Sequence, residues 1–300
     1  MHRHLRSLTI ALVGLLAFGL GAAVPANAAA KRVVALEWDG LENLSTLGVS
    51  AVGAADVKGY DAYVGIGRRG TPTDVGLRQS PSLSRIRQLK PDLIIVPDYR
   101  SERNLSALKK IAKVLVTHPY PAGDGDVQFN AMVTDYRRIA RAVGKRRQGE
   151  AVLKAMTQSF SAVKGAIARK GRSGIKLTVA TPGGTTSAPA LRLATNNSQA
   201  AGVLRRIGVK NGWNTGTPRY GFATVGVSAM AQIKNDWVAF VYTKPFEQQI
   251  KQIQGLDSFK KLPVMKKRRY RNLAGKTWLF GGPGSARLIA AQIGAALLRG

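Results

Sequence analysis

The sequence has no cysteine. Thiolate nucleophiles, thiolate metal ligands and disulfide staples are therefore excluded. Histidine is nearly as scarce, and beyond the first four residues only His118 remains. A histidine-dependent triad would have to use His118, beside Pro119 after a predicted strand. No nucleophile elbow accompanies it, because Gly226-Val227-Ser228-Ala229-Met230 lacks the closing glycine. Acids number 16 against 46 lysines and arginines, which leaves paired-carboxylate catalysis without good candidates. Gly65-Ile66-Gly67-Arg68-Arg69-Gly70 matches G-x-G-x-x-G, but no clear strand precedes it and Thr71-Pro72-Thr73 follows where a helix should open. It reads as a flexible loop. Together these absences point away from an enzyme and from a protein-ligated metal; no catalytic residue, metal ligand or intrinsic cofactor is expected.

The apolar run Leu8 to Leu20 has 13 residues, too short for a membrane span. Arg3 and Arg6 precede it and Ala26-Asn27-Ala28 follow it, so residues 1–28 read as an export signal cut after Ala28. A lipoprotein needs a cysteine at the new N-terminus. The expected location is therefore the periplasm, the cell surface or the medium, without a lipid anchor. Formal charge is +30, and loss of Arg3 and Arg6 leaves 30 − 2 = +28. From Gly171 to Gly300 the only acids are Asp236, Glu247 and Asp257. Such a surface attracts polyanions, but export argues against nucleic acid as a natural partner. A basic wall-associated binding or scaffold protein is a second reading of the same charge.

Along the chain, Val33-Val34-Ala35-Leu36 predicts a strand, and Asp39-Gly40-Leu41-Glu42 has capping-box spacing before a helix carrying Leu41, Leu44 and Leu47 and ending at Gly48. A weaker strand follows over 49–54, then an irregular stretch over 56–73. Ser80 and Pro81 predict the start of a helix striped by Leu83, Ile86 and Leu89 and stopped by Pro91; Leu93 to Val96 is an apolar run of the kind buried on both faces of a parallel sheet. Leu105, Leu108 and Ile111 mark another helix and Val114 to Val116 another strand. This βαβα order predicts a parallel sheet. Two helical patterns then follow, over 132–143 and 145–170. The second would be nearly 40 Å long at 1.5 Å per residue and falls midway, as a strut between two halves would. Strands at 177–180, 237–242 and 277–280 and helices at 199–207, 229–233, 246–253 and 285–298 complete a second α/β half. The expected organisation is a signal at 1–28, an N-terminal lobe at 29–144, a connecting helix at 145–170 and a C-terminal lobe at 171–300.

The chemistry left is aromatic and cationic. Trp38 follows the first strand, beside Glu37; Tyr60 and Tyr63 lie in the irregular stretch; Arg78 and Tyr99 flank the third strand; Arg219, Tyr220 and Phe222 lie in a Gly/Pro/Thr-rich stretch; Trp278 and Phe280 lie on the last predicted strand. In open α/β sheets ligands bind beyond the carboxyl ends of the strands. A cleft so lined suits a ligand with an apolar body and a few carbonyl or anionic oxygens.

Val34-Ala35-Leu36-Glu37-Trp38, Asp74-Val75-Gly76-Leu77-Arg78 and Lys90-Pro91-Asp92-Leu93-Ile94 resemble the exported ferric hydroxamate-binding proteins of the siderophore-binding family. The resemblance covers residues 29–300 in order and is strongest from 32 to 100. It implies an α/β fold of two lobes with mostly parallel sheets, joined by one long interlobe helix, with a shallow cleft between them. It implies capture of an iron(III)–siderophore complex and delivery to a membrane ABC permease, with the protein a monomer. Arg78 and Tyr99 match positions that hydrogen-bond the oxygens around the iron, and Trp38, Tyr63, Tyr220 and Trp278 match aromatic wall positions. Tyr63 and Tyr220 stand where tryptophan is more usual. Permease docking would use an acid on each lobe: Glu102 on the first, and one of Asp236, Glu247 or Asp257 on the second. The broader family also binds haem and cobalamin, which are the alternative ligands.

Overall fold

The computed structural model describes residues 29–185, 187–233 and 237–299. The expected export signal and Asp236 lie outside the described residues.

The first lobe runs β1 (Val33–Ala35), α1 (Trp38–Thr46), β2 (Gly53–Ala54), α2 (Val57–Tyr63), β3 (Thr73–Asp74), β4 (Gly76–Leu77), β5 (Ser80–Pro81), α3 (Leu83–Gln88), β6 (Leu93–Pro97), α4 (Asp98–Ser101), α5 (Leu105–Lys109) and β7 (Lys113–Thr117). Five of these strands form a sheet in the order β3-β2-β1-β6-β7, and every pair in it is parallel. β1 and all five residues of β6 are buried, which is why both read as unbroken apolar runs.

Helix starts depart from expectation here. Glu37, not Asp39, is the N-cap of α1. Ser82, not Ser80, caps α3, its Oγ accepting the Arg85 N–H at 3.3 Å. Ser80 and Pro81 instead pair with Leu77 and Gly76 as an antiparallel hairpin, leaving Arg78 and Gln79 as its two-residue turn. The stretch read as irregular contains α2. Gly59 on α2 has no room for a side chain, because a Cβ there would stand 2.5 Å from both the Trp38 ring and the Asp56 carboxylate. The helix therefore seats closely on that indole.

α6 (Val127–Ala142) and α7 (Arg146–Arg169) follow. The 24 residues of α7 make a rod of about 36 Å, as the sequence predicts. The second lobe runs β8 (Lys176–Gly184), β9 (Pro189–Ala194), α8 (Gln199–Arg206), β10 (Lys210–Asn211), β11 (Phe222–Gly226), a 3₁₀ turn at Val227–Gln232, β12 (Trp237–Tyr242), a second 3₁₀ turn at Lys244–Phe246, α9 (Glu247–Gly255), α10 (Asp257–Lys260), α11 (Pro263–Lys266), β13 (Tyr270–Ala274) and α12 (Pro283–Leu298). Its sheet, ordered β11-β9-β8-β12-β13 with β10 beside β8, is mixed: β8 pairs in parallel with β10 and β12, but β9 is antiparallel to both β8 and β11.

Two predictions fail in this lobe. Residues 277–280 form no strand; the final strand is β13, parallel to β12 and starting at the end of the basic run Lys266-Lys267-Arg268-Arg269-Tyr270-Arg271. It lies at the sheet edge, where charged side chains discourage pairing with another chain. Strands β9 and β11 were hidden by the Gly/Pro/Thr-rich sequence around them.

α12 returns along α7, and Gly294 lets the two helices approach: a Cβ there would lie 2.6 Å from a Val163 methyl. The first lobe grips the start of α12. Glu42 of α1, fully buried, accepts the Ser285 N–H at 2.7 Å and its hydroxyl at 2.6 Å. A carboxylate suits the positive end of a helix. Burial nonetheless pushes the Glu42 carboxyl upward, outweighing the hydrogen bonds from Ser285 and its neighbours that act the other way.

Candidate functional site

β1 and β6 are hydrogen-bonded neighbours, with Ala35 opposite Ile95. Their carboxyl ends release Glu37-Trp38 and Asp98-Tyr99-Arg100 side by side. The segment after β6 is a single helical turn, α4, rather than a loop. The β4–β5 turn brings Arg78 to the same place from the sheet edge.

The three segments meet on Glu37. Its carboxylate accepts the Trp38 N–H at 3.0 Å, Arg78 Nη1 at 2.6 Å, the Tyr99 hydroxyl at 3.0 Å, and Arg100 Nε. Burial pushes the Glu37 carboxyl up, but the Arg78 and Arg100 charges with these hydrogen bonds prevail and hold it below the usual carboxylate range. Burial, then the Glu37 charge, drives the Tyr99 phenol upward, so it stays protonated. The Arg78 guanidinium carbon lies 3.5 Å from the centre of the Trp38 ring, and its Nε is 3.4 Å from Asp56 Oδ2. The indole is itself fixed, donating Nε1–H to the Asp56 carbonyl at 3.0 Å.

Aromatic rings continue across the gap between the lobes. Trp38 stacks on Tyr63 at 5.5 Å and meets Trp278 edge-on at 4.8 Å; Trp278 contacts Phe280, Phe280 contacts Phe222, Phe222 contacts Tyr220, and Tyr220 reaches Tyr99 and Tyr120 at 6.1 and 5.2 Å. A cavity of about 420 Å³ opens against this arc, with Trp38, Tyr63 and Arg78 on one side and Arg192, Phe246 and Trp278 on the other.

Thus Trp38, Tyr63, Arg78 and Trp278 share one cavity. Tyr99 and Tyr220 form an adjoining patch, linked to it through Glu37 and the ring arc. Tyr60 is buried, its hydroxyl donating to the Ile66 carbonyl at 2.7 Å. Glu102 sits exposed at the end of α4, away from the cavity. Glu247 pairs with Lys251 at 2.8 Å, and Asp257 is exposed 3.4 Å from Lys260. His118 is half exposed, Nδ1 lying 3.1 Å from Asp98 Oδ2. Sequence reasoning passed over Glu37, Arg100, Asp56, Arg192 and Phe246 as site residues. The first two carried a signal, since each is adjacent in sequence to a residue singled out. Asp56, Arg192 and Phe246 carried none, because only tertiary folding brings them near Trp38. Among the described residues no group of three or more His, Asp or Glu could hold a metal ion, and no helix is long and apolar enough to cross a membrane.

The chain belongs to the periplasmic binding protein family, whose model matches residues 33–271. Members of this family are extracellular or periplasmic substrate-binding proteins, non-enzymatic components of transport. In solved structures, the siderophore-binding protein FhuD of Vibrio cholerae, crystallised with Fe3+–Desferal, is similar over 90% of this chain and 98% of that one, with a TM-score of 0.81 and 25% identity. Among curated proteins of Bacillus subtilis, the ABC transporter substrate-binding lipoprotein YhfQ is 34% identical over 48% of this chain and 44% of its own. The Fe(3+)-citrate-binding protein YfmC is 29% identical over 59% and 53%. The chain spans about half the length of the curated relatives it matches.

Proposed function

We propose that this protein captures a ferric siderophore of the hydroxamate type in the interlobe cavity and delivers it to a membrane ABC permease. The observation that carries the reading is the convergence of Arg78, Trp38, Tyr63 and Trp278 on one cavity between the lobes. A chelate already enclosing its iron needs no protein ligand to the metal. It needs aromatic surface for its body and cationic donors for its outer oxygens, and this cavity supplies both. Tyr99 and Tyr220 extend the surface. Glu102 is the first-lobe contact to the permease, and one of Asp236, Glu247 or Asp257 the second. Residues 1–28 direct export, 29–144 and 171–300 form the lobes, 145–170 joins them, and the protein works as a monomer without an intrinsic cofactor or a nucleic-acid partner.

The name of the relative YfmC favours a second reading, a ferric citrate-type chelate. Titration with ferrichrome, ferrioxamine, ferric citrate, haem and cobalamin, followed by tryptophan fluorescence, separates the two. Strong quenching by a hydroxamate supports the proposal. Quenching by ferric citrate alone selects the second reading, and quenching only by haem or cobalamin defeats both.

A further inference from the structure

The donor cluster holds charges of both signs. Arg78 and Arg100 each bond to Glu37, and Arg78 also faces Asp56. Asp39, two residues beyond Glu37, has its carboxyl pushed up to about 8 by burial and then by the Glu37 charge, so it carries little charge at neutral pH. The cluster is therefore balanced, two guanidiniums against two carboxylates. Arg192 on the facing wall, its guanidinium carbon 5.1 Å from the Phe222 ring centre, adds one positive charge. Glu37 also accepts the hydrogen bond that the Tyr99 hydroxyl donates. A phenol has a single O–H, so while that bond stands Tyr99 offers a ligand only an oxygen acceptor and a ring face. Stripping these donors away would strand an ionised carboxylate that is 6% exposed, a penalty that the outer oxygens of a neutral chelate do not offset.

We propose that Glu37 sets the charge selectivity of the cleft. Staying bonded beneath Arg78 and Arg100, it orients both guanidiniums and cancels one of their charges, which reserves the cavity for ferric chelates that are neutral or singly anionic. Glu37 is thus a positioning residue, and the ligand meets Arg78, which lines the cavity. This inference rests on the ferric-chelate reading above.

Two ferric trihydroxamates on the same cyclic peptide scaffold test it: ferrichrome, which is neutral, and ferrichrome A, whose three carboxylates make it trianionic. Affinities for both are measured by tryptophan quenching in the wild type, Glu37→Gln and Asp56→Asn, with thermal melting as the check on folding. The wild type is expected to favour ferrichrome. Glu37→Gln keeps the shape and loses the charge, and should move the affinity ratio toward ferrichrome A by about ten-fold or more. Asp56→Asn should move it the same way by less, since that carboxylate is farther off and more exposed. Asn also suits the left-handed N-cap backbone at position 56, where φ is 53°, so this variant carries the test if Glu37→Gln fails to fold. A wild-type preference for ferrichrome A, or an equal loss of both chelates in the variants, overturns the role of Glu37 and leaves ferric-chelate capture standing. Failure of every ferric chelate to bind the wild type sinks the broader reading as well.

Discussion

The two lobes contribute different chemistry to the same cavity. The first lines it with Arg78 and Asp56, Arg78 being held by the Glu37 carboxylate that Tyr99 and Arg100 share beside the cavity. The second supplies mainly rings: Phe246, Trp278 and Phe280, with Arg192 as an isolated cation. The backbones explain the division. An all-parallel sheet releases consecutive loops at one edge, so acceptors and donors from β1 and β6 are forced together. In the mixed sheet β9 runs antiparallel to both β8 and β11, and this lobe lines the cavity with residues of β8 and β9, the end of β12 and the loop before α12. On the proposed function, recognition of oxygens would belong to the first lobe, and covering of the ligand's body to the second.

Four substitutions test that division, from the largest effect to the smallest. Trp38→Ala should cost about 3–5 kcal/mol of stability in urea unfolding, because the indole is 3% exposed and props up both Arg78 and α2. A loss under 1 kcal/mol would mean that the first-lobe wall is not part of the core. Asp39→Asn comes next. The folded protein holds the Asp39 proton up to about pH 8, against 3.8 ordinarily, so wild-type stability falls as pH rises through that window. The variant lacks this slope and should gain as much as about 5 kcal/mol over the wild type near pH 9 but little near pH 4. Equal effects at both pH values contradict it. Arg78→Ala should weaken binding of a ferric hydroxamate by about 1–3 kcal/mol, read by titration, and should also lower thermal stability, because buried Glu37 loses its 2.6 Å partner. Unchanged affinity removes Arg78 from the site. Trp278→Ala should weaken binding by about 1 kcal/mol, to the same extent for every chelate, because it removes area without a directed hydrogen bond. A chelate-selective loss would show that the second lobe also discriminates.

The legibility of the sequence follows the same line. β6 and the 145–170 helix are plain in the sequence because burial on both faces writes an unbroken apolar run and a long amphipathic helix writes a sustained helical period. Ser80-Pro81 misleads because capping residues also suit a turn, and the pairing of Gly76 with Pro81 decides between them. Tyr270–Ala274 hides at the end of a basic run because a strand at a sheet edge needs no apolar outer face. Tyr99 was read as a donor to the ligand, and its proton is held by a carboxylate 62 residues away.

By itself the sequence determined the α/β alternation, the long helix between two halves, and the cationic and aromatic residue types gathered at the cleft, because local periodicity and composition fix these. Only the tertiary structure decided which oxygens the cations already satisfy. Arg78, Arg100 and Tyr99 are drawn onto Glu37 by burial, and the cost of leaving a buried carboxylate unpaired depends on partners that no short stretch of sequence contains.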